Sequence, residues 1–375
     1  MSYRWNEHAV GLSCLRCGAI YAPHDPICDQ NLGCPACLVD GYPVSLYVIY
    51  DEFPQEIRTH ARGMARFVDW LPFTEFISPG EGGTPLVEVP ILAQEHGVAR
   101  LWIKNEGQNP TGSHKDRMST LAVARAAMTG RETVTAASSG NAGVSLAAYA
   151  AAYGLNCVIV TTDDMSLPWA GAIHAHAAEI HVTENSRARW DYMRKRVEES
   201  NWYPVTNFIM PPVGSNPFGV QGYKTIAHEI AEALTDEAPT VVIIPTARGD
   251  LLWGVHRGFM EMQYAGIIDS LPRLIAVETA SRLKRVLEGE DYRQEFARTG
   301  QDIPSIDVDC VTYQAMIALQ QSGGDAVSVN ASRARAAQRS LAREGFYAEN
   351  ASATVLPALQ NCISSGKITS NDRVV

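Results

Sequence analysis

The sequence predicts an α/β protein, and three observations carry that prediction. Apolar runs of strand length alternate with helix-patterned stretches along most of the chain. The strand candidates are continuously apolar instead of alternating, which is the pattern of parallel sheets covered on both faces. At 375 residues the chain exceeds the length at which one hydrophobic core keeps growing, so two or more domains, doubly wound α/β in pattern, are expected.

The clearest strands are Arg100–Lys104, Thr133–Ala137, Asn156–Thr161, Glu179–Val182, Thr240–Ile244 and Arg273–Val277. Helical patterning covers Lys115–Met128, Ala142–Tyr153, Arg187–Glu199, Tyr223–Leu234 and Trp253–Tyr264. Glu288–Asp309 is charged and poorly periodic and reads as a surface excursion. In parallel sheets, ligands bind where strands run into helices at their carboxyl ends.

Hydrophobic content of 46% and charged content of 19% describe an ordinary globular chain. The net charge of −10, with no long basic run to offset it, argues against nucleic-acid and anionic-membrane partners. No apolar stretch of about 18 residues predicts a membrane span. The start Met1-Ser2-Tyr3-Arg4-Trp5-Asn6-Glu7 lacks a signal-peptide pattern, so a cytoplasmic location is expected.

Five of the eight cysteines lie between Cys14 and Cys37. Cys14-Leu15-Arg16-Cys17 and Cys34-Pro35-Ala36-Cys37 form two C-x2-C pairs, a spacing that lets two tight turns present four thiolates to a structural zinc. Cys28 is the spare, and His24 is a weaker substitute ligand. A closed four-thiolate site leaves no open position for substrate.

The most informative run is Asn109-Pro110-Thr111-Gly112-Ser113-His114-Lys115-Asp116-Arg117. It places a lysine in a Gly/Ser turn at the start of a long helix, where backbone N–H groups and the helix dipole disfavour positive charge. That setting suits an amine that must attack an aldehyde. A second turn, Ser138-Ser139-Gly140-Asn141-Ala142-Gly143, joins strand Thr133–Ala137 to the next helix and offers a compact set of donors for a carboxylate. Taken alone, it also fits an ordinary helix cap.

Gly80-Glu81-Gly82-Gly83-Thr84-Pro85-Leu86, the Lys115 run, the Ser138–Asn141 loop and Gln221-Gly222-Tyr223-Lys224-Thr225 occur in the order found in threonine synthases. The chain resembles a fold-type II pyridoxal 5′-phosphate (PLP) enzyme of that group, within the tryptophan synthase β superfamily. The resemblance implies a zinc-ribbon segment over 1–50, a larger cofactor-binding domain over 51–130 and 215–375, a smaller α/β domain over 131–214, and a PLP cleft between the two domains. It implies that Lys115 holds PLP and moves the Cα proton, and that Ser138, Ser139, Asn141 and Ala142 grip the substrate carboxylate, with Asn141 also near the cofactor ring. Lys104, Arg117 and His114 are the further substrate-binding candidates, the first two as anion partners. His114 stands where the group usually has phenylalanine; it could serve as an acid or base or pack beneath the cofactor. The implied activity is a PLP-dependent lyase or synthase reaction on an amino acid, most like conversion of phosphohomoserine to threonine and phosphate. A β-replacement synthase or ammonia-lyase is the alternative within enzymes, and a catalytically silent metabolite- or protein-binding relative is the alternative outside them. A homodimer is expected by the same analogy.

Three features depart from the group's pattern. The phosphate loop is Pro245-Thr246-Ala247-Arg248-Gly249-Asp250-Leu251, in which only Gly249 remains of a glycine-rich cradle and Asp250 adds a negative charge. Arg248 could compensate by charge-assisted hydrogen bonding. Gly219 stands where the group places an arginine for the substrate phosphate. The sequence given ends at Arg373-Val374-Val375, where a further strand is expected to begin.

Overall fold

A computed structural model describes residues 3–54, 57–58, 60–235 and 237–375. It forms two compact units, Met1–Thr84 with Glu106–Thr225, and Pro85–Asn105 with Ile226–Val375. These boundaries differ from the expected ones: 51–84, 106–130 and 215–225 group with 131–214. The reason is packing. The helix Lys115–Met128 buries eleven consecutive residues, Asp116–Ala126, and Ser145 Oγ on the helix Asn141–Tyr153 donates to Ser119 Oγ at 2.7 Å.

The first unit contains a four-stranded parallel sheet in the order Glu179–Thr183, Asn156–Thr162, Thr133–Ala137, Tyr203–Pro204. The N-terminal segment is integral to this unit. Its strands Ile20–Tyr21, Ala9–Cys14 and Leu46–Tyr50 form an antiparallel sheet. It is tied to the helical body by a buried two-point ion pair, Arg125 to Asp29 at 2.7 and 2.8 Å, to which Tyr203 adds a hydroxyl at 3.1 Å.

The second unit contains a six-stranded sheet in the order Asp325–Ser328, Arg273–Glu278, Val241–Pro245, Arg373–Val374, Arg100–Lys104, Leu86–Glu88; only the last pairing is antiparallel. Val241–Ile244 are all buried. Successive strand residues point to opposite faces, so this strand is covered on both sides. The residues Arg373–Val374 pair on both sides in the sheet interior: Val374 sits opposite Val241 and Leu101, and the Ile243 amide donates to the Val375 carbonyl at 2.8 Å.

The charged segment 288–309, expected as a surface excursion, is largely exposed but anchored by buried residues. Tyr292, Phe296, Ile303 and Ile306 are buried. Asp307 is buried too and accepts from the Thr279 and Thr299 hydroxyls, both at 2.7 Å. Among the described residues, no helix is long and apolar enough to cross a membrane.

Candidate active site

In the first unit the lysine turn is built by its neighbours. Asp116 folds the turn back by accepting from the Thr111 amide at 2.7 Å and from the Thr111 hydroxyl. Burial pushes the Asp116 carboxyl up, against these donors. Asn109 ties the turn to the glycine motif, accepting from the Gly82 amide at 3.0 Å. Lys115 is the first residue of its helix, and its amine donates to the Tyr223 hydroxyl at 3.4 Å. Gly222 explains the close approach of that second motif, because a Cβ there would lie 1.8 Å from the Arg117 carbonyl oxygen.

His114 packs beside Tyr223, with ring centroids 5.5 Å apart. Burial, followed by the Lys115 and Arg117 charges, holds it well below the usual histidine range, so it is neutral near pH 7.

Two expected anion partners are engaged elsewhere. Arg117 is fully buried and grips Glu106 through two bonds of 2.8 Å, with further bonds to Thr225 at 2.7 Å and Thr84 at 3.1 Å. Lys104 and Glu229, each 7% exposed at the side chain, form an ion pair at 2.5 Å within the second unit. Releasing either cation would leave a carboxylate stranded with little solvent, so both act as structural groups here.

The turn after strand Thr133–Ala137 is shaped by Ser138, whose hydroxyl accepts from the Gly143 amide at 2.9 Å and the Gly140 amide at 3.2 Å. Ser138 therefore positions the loop, and the Ser139 and Ala142 amides remain as its unpartnered donors among the described residues. The Ser139 hydroxyl accepts from Thr161 at 3.0 Å and from Arg189 at 3.5 Å. Sequence reasoning missed Arg189; it follows the N-cap Asn185 of the helix Ser186–Ser200, and its side chain is brought to the loop only by the fold. Gly219 has no room to be the missing arginine, since a Cβ there would sit 2.9 Å from Met118 Cγ and 3.0 Å from the Met118 carbonyl oxygen.

In the second unit the loop 245–251 leads from strand Val241–Pro245 into the helix Asp250–Tyr264. The carbonyls of Thr246 and Ala247 accept from Arg282 at 3.4 and 3.3 Å, and that of Arg248 accepts from the Thr312 hydroxyl at 2.5 Å. A trans peptide plane points its N–H opposite to its C=O. The amides of Ala247, Arg248 and Gly249 therefore face the other way, and among the described residues none has a hydrogen-bond partner. Three such amides at a helix N-terminus form an anion nest. Arg248 adds a buried Nε with no partner. Gly249, the N-cap, has φ 88°, and a Cβ there would meet the Ala315 Cβ at 2.3 Å. Asp250 is held by the Gln314 side-chain amide at 2.6 Å. The residues present thus fit a phosphate group despite the lost glycines.

The four paired cysteines also converge. The sulfurs of Cys14, Cys17, Cys34 and Cys37 lie within 4.8 Å of one another, with Cys14 to Cys37 at 3.6 Å and Cys17 to Cys34 at 3.7 Å. Cys28 is buried outside the cluster against the Ala22 carbonyl.

Comparisons with known proteins identify the family. The sequence pattern of the family described as "Pyridoxal-phosphate dependent enzyme" matches residues 77–375. The chain is 32% identical to threonine synthase of Methanocaldococcus jannaschii, over 96% of this chain and 90% of that one. It is 30% identical to threonine synthase of Methanosarcina acetivorans, over 97% and 89%. Among solved structures, L-serine ammonia-lyase of Rhizomucor miehei superposes with a TM-score of 0.64 at 22% identity, covering 78% of this chain and 91% of that chain. Threonine deaminase isoform 2 of Solanum lycopersicum does so at 0.64 and 22%, covering 78% and 82%; these two likenesses speak for the fold. The family match over residues 77–375 and the two threonine synthase relatives show that the chain belongs to the pyridoxal-phosphate dependent enzyme family, as a threonine synthase-like lyase.

Proposed function

We propose that the chain converts phosphohomoserine to threonine and phosphate, by elimination at the γ-carbon followed by addition of water. The observation that carries this reading is the lysine turn: Lys115 opens a buried helix with its amine on Tyr223. Lys115 is the residue that would hold the cofactor, and its freed amine would take the proton from Cα. When bound, PLP supplies the electron sink that makes this proton removable. The Ala247, Arg248 and Gly249 amides would hold its phosphate, with Arg248 adding charge. The Ser139 and Ala142 amides, with Asn141, orient the substrate carboxylate, and neutral His114 packs at the lysine instead of titrating there.

One observation favours a second reading. With Gly219 closed to an arginine, the substrate phosphate needs another cation, and Arg189, 3.5 Å from the Ser139 hydroxyl, is the group at hand. If Arg189 instead serves a carboxylate, a β-replacement or ammonia-lyase reaction on another amino acid follows. The deciding experiment begins with borohydride reduction of the protein saturated with PLP, followed by mass analysis of the Lys115 peptide. Phosphohomoserine, serine and threonine are then each assayed for phosphate, keto acid and ammonia. Phosphate and threonine from phosphohomoserine support the first reading; keto acid and ammonia from the unphosphorylated amino acids support the second. No PLP on Lys115 overturns both.

The cysteine cluster is read as a structural zinc site. Zinc–thiolate bonds of about 2.3 Å in a tetrahedron place the sulfurs roughly 3.8 Å apart, close to the 3.6 and 3.7 Å pairs seen here. Metal analysis should find about one zinc per chain. Chelation should lower the melting temperature while leaving PLP on Lys115; loss of turnover in a protein still folded and loaded would contradict a structural role.

A further inference from the structure

The phosphate loop presents a puzzle that its own residues do not solve. A glycine-rich loop turns its amides toward an anion because glycine reaches backbone conformations closed to other residues. Here Thr246, Ala247 and Arg248 carry side chains, and only Gly249 has a positive φ. The peptide planes must be held from outside.

Arg282 is placed to hold them. It opens the helix Arg282–Leu287 and is fully buried. One guanidinium nitrogen donates to the Ala247 carbonyl at 3.3 Å and the Cys310 carbonyl at 2.6 Å, and the other to the Thr246 carbonyl at 3.4 Å. Glu278 lies 3.6 Å from the same guanidinium and accepts from the Leu283 and Lys284 amides, which anchors the start of that helix. A planar fork can span successive carbonyls in a way that a lysine cannot. From the helix Tyr313–Gln321, the N-cap Thr312 takes the third carbonyl, Gln314 holds Asp250, and Ala315 backs Gly249.

We propose that Arg282, together with Thr312, is a positioning residue for the cofactor phosphate: by fixing the carbonyls of 246–248 it turns the amides of 247–249 into an anion nest that the loop's side chains would not otherwise adopt. This rests on the reading that the loop binds PLP. The proposal locates part of the cofactor's affinity in a residue that never touches it. It also accounts for a loop that tolerates three non-glycine residues.

The test separates a phosphate effect from general damage. Metal-replete apoprotein is titrated with PLP and with pyridoxal, which lacks the phosphate, for the wild type and for Arg282→Met, Arg282→Lys and Thr312→Val. Thermal melting of each apoprotein is recorded alongside. The wild type should prefer PLP strongly. Arg282→Met should weaken PLP by about 10- to 100-fold, the range for disturbed charge-assisted bonds, with pyridoxal affinity unchanged. Arg282→Lys should fall between, and Thr312→Val, the variant least disturbing to folding, should show a smaller loss of the same kind. Variants that keep the wild-type preference, or lose both ligands in parallel, overturn the inference alone. A wild type that takes up neither ligand overturns the proposed function as well. If Arg282→Met does not fold, Arg282→Lys and Thr312→Val decide by the same criterion.

Discussion

The lysine turn and the phosphate loop reach their shapes by opposite routes. In the lysine turn, the groups that set the geometry are side chains inside the motif or in a neighbouring motif: Asp116 on Thr111, Asn109 on Gly82. In the loop 245–251, the groups proposed to bind phosphate are main-chain amides, and their carbonyls are held by Arg282 and Thr312, 34 and 64 residues further along the chain than Arg248. A motif that binds with side chains keeps its signature where it acts. One that binds with its backbone can lose that signature locally and retain its geometry through distant contacts.

The strongest way to break this comparison is Lys115→Ala. The variant should retain a folded first unit, because the bonds that shape the turn come from Asp116, Thr111 and Asn109, whose side chains stay in place. Turnover should fall by about 10²- to 10⁴-fold, the usual contribution of a positioned acid–base group, and borohydride should no longer fix PLP to the protein. Steady-state kinetics and mass analysis check both. On the loop side, Gly249→Ala combines a positive φ with a Cβ placed 2.3 Å from Ala315. It should cost about 2–4 kcal/mol in stability of the apoprotein through conformational strain and overpacking, measured by denaturant unfolding, and weaken PLP binding as well. A Gly249→Ala protein of unchanged stability and affinity would mean that the N-cap is more plastic than its packing indicates.

Much of the fold was legible because parallel-sheet strands are continuously apolar: Arg100–Lys104 and Thr133–Ala137 fall where the sequence places them. The domain division was not, because it depends on which surfaces of the almost fully buried Lys115–Met128 helix find partners, and an Ala-rich segment buried all round carries little periodic signal. Arg117 and Lys104 were read as anion partners from charge alone. Their engagement by Glu106 and Glu229 joins residues up to 125 apart in sequence, which no local pattern reports. Arg189 and Arg282 were missed for the same reason. Their neighbours in sequence, Arg187 and Lys284, look equivalent on paper, and only the fold distinguishes them.

Acid sharpens the comparison further, because each region carries a histidine held neutral, His256 buried and His114 half-buried. His256 lies on the helix that begins at the phosphate loop and faces Gln321 at 3.0 Å. Burial, partly offset by that bond and reinforced by Arg257, lowers it from 6.5 to about 4. Between those values the unfolded chain binds more protons than the folded one, so stability is complete above pH 6.5 and declines as pH falls toward 4. At pH near 5.5 the loss from this group is about 1 kcal/mol. His114, beside the lysine, is shifted in the same direction and adds its own acid-side slope. Urea unfolding of wild type, His256→Gln and His114→Phe across this range should therefore give a flatter slope in each variant, whatever its absolute stability. The PLP titration then tells the regions apart. Acid weakening of PLP that His256→Gln removes and His114→Phe leaves would place the sensitivity at the loop, where the backbone does the binding; the reverse would place it at the lysine.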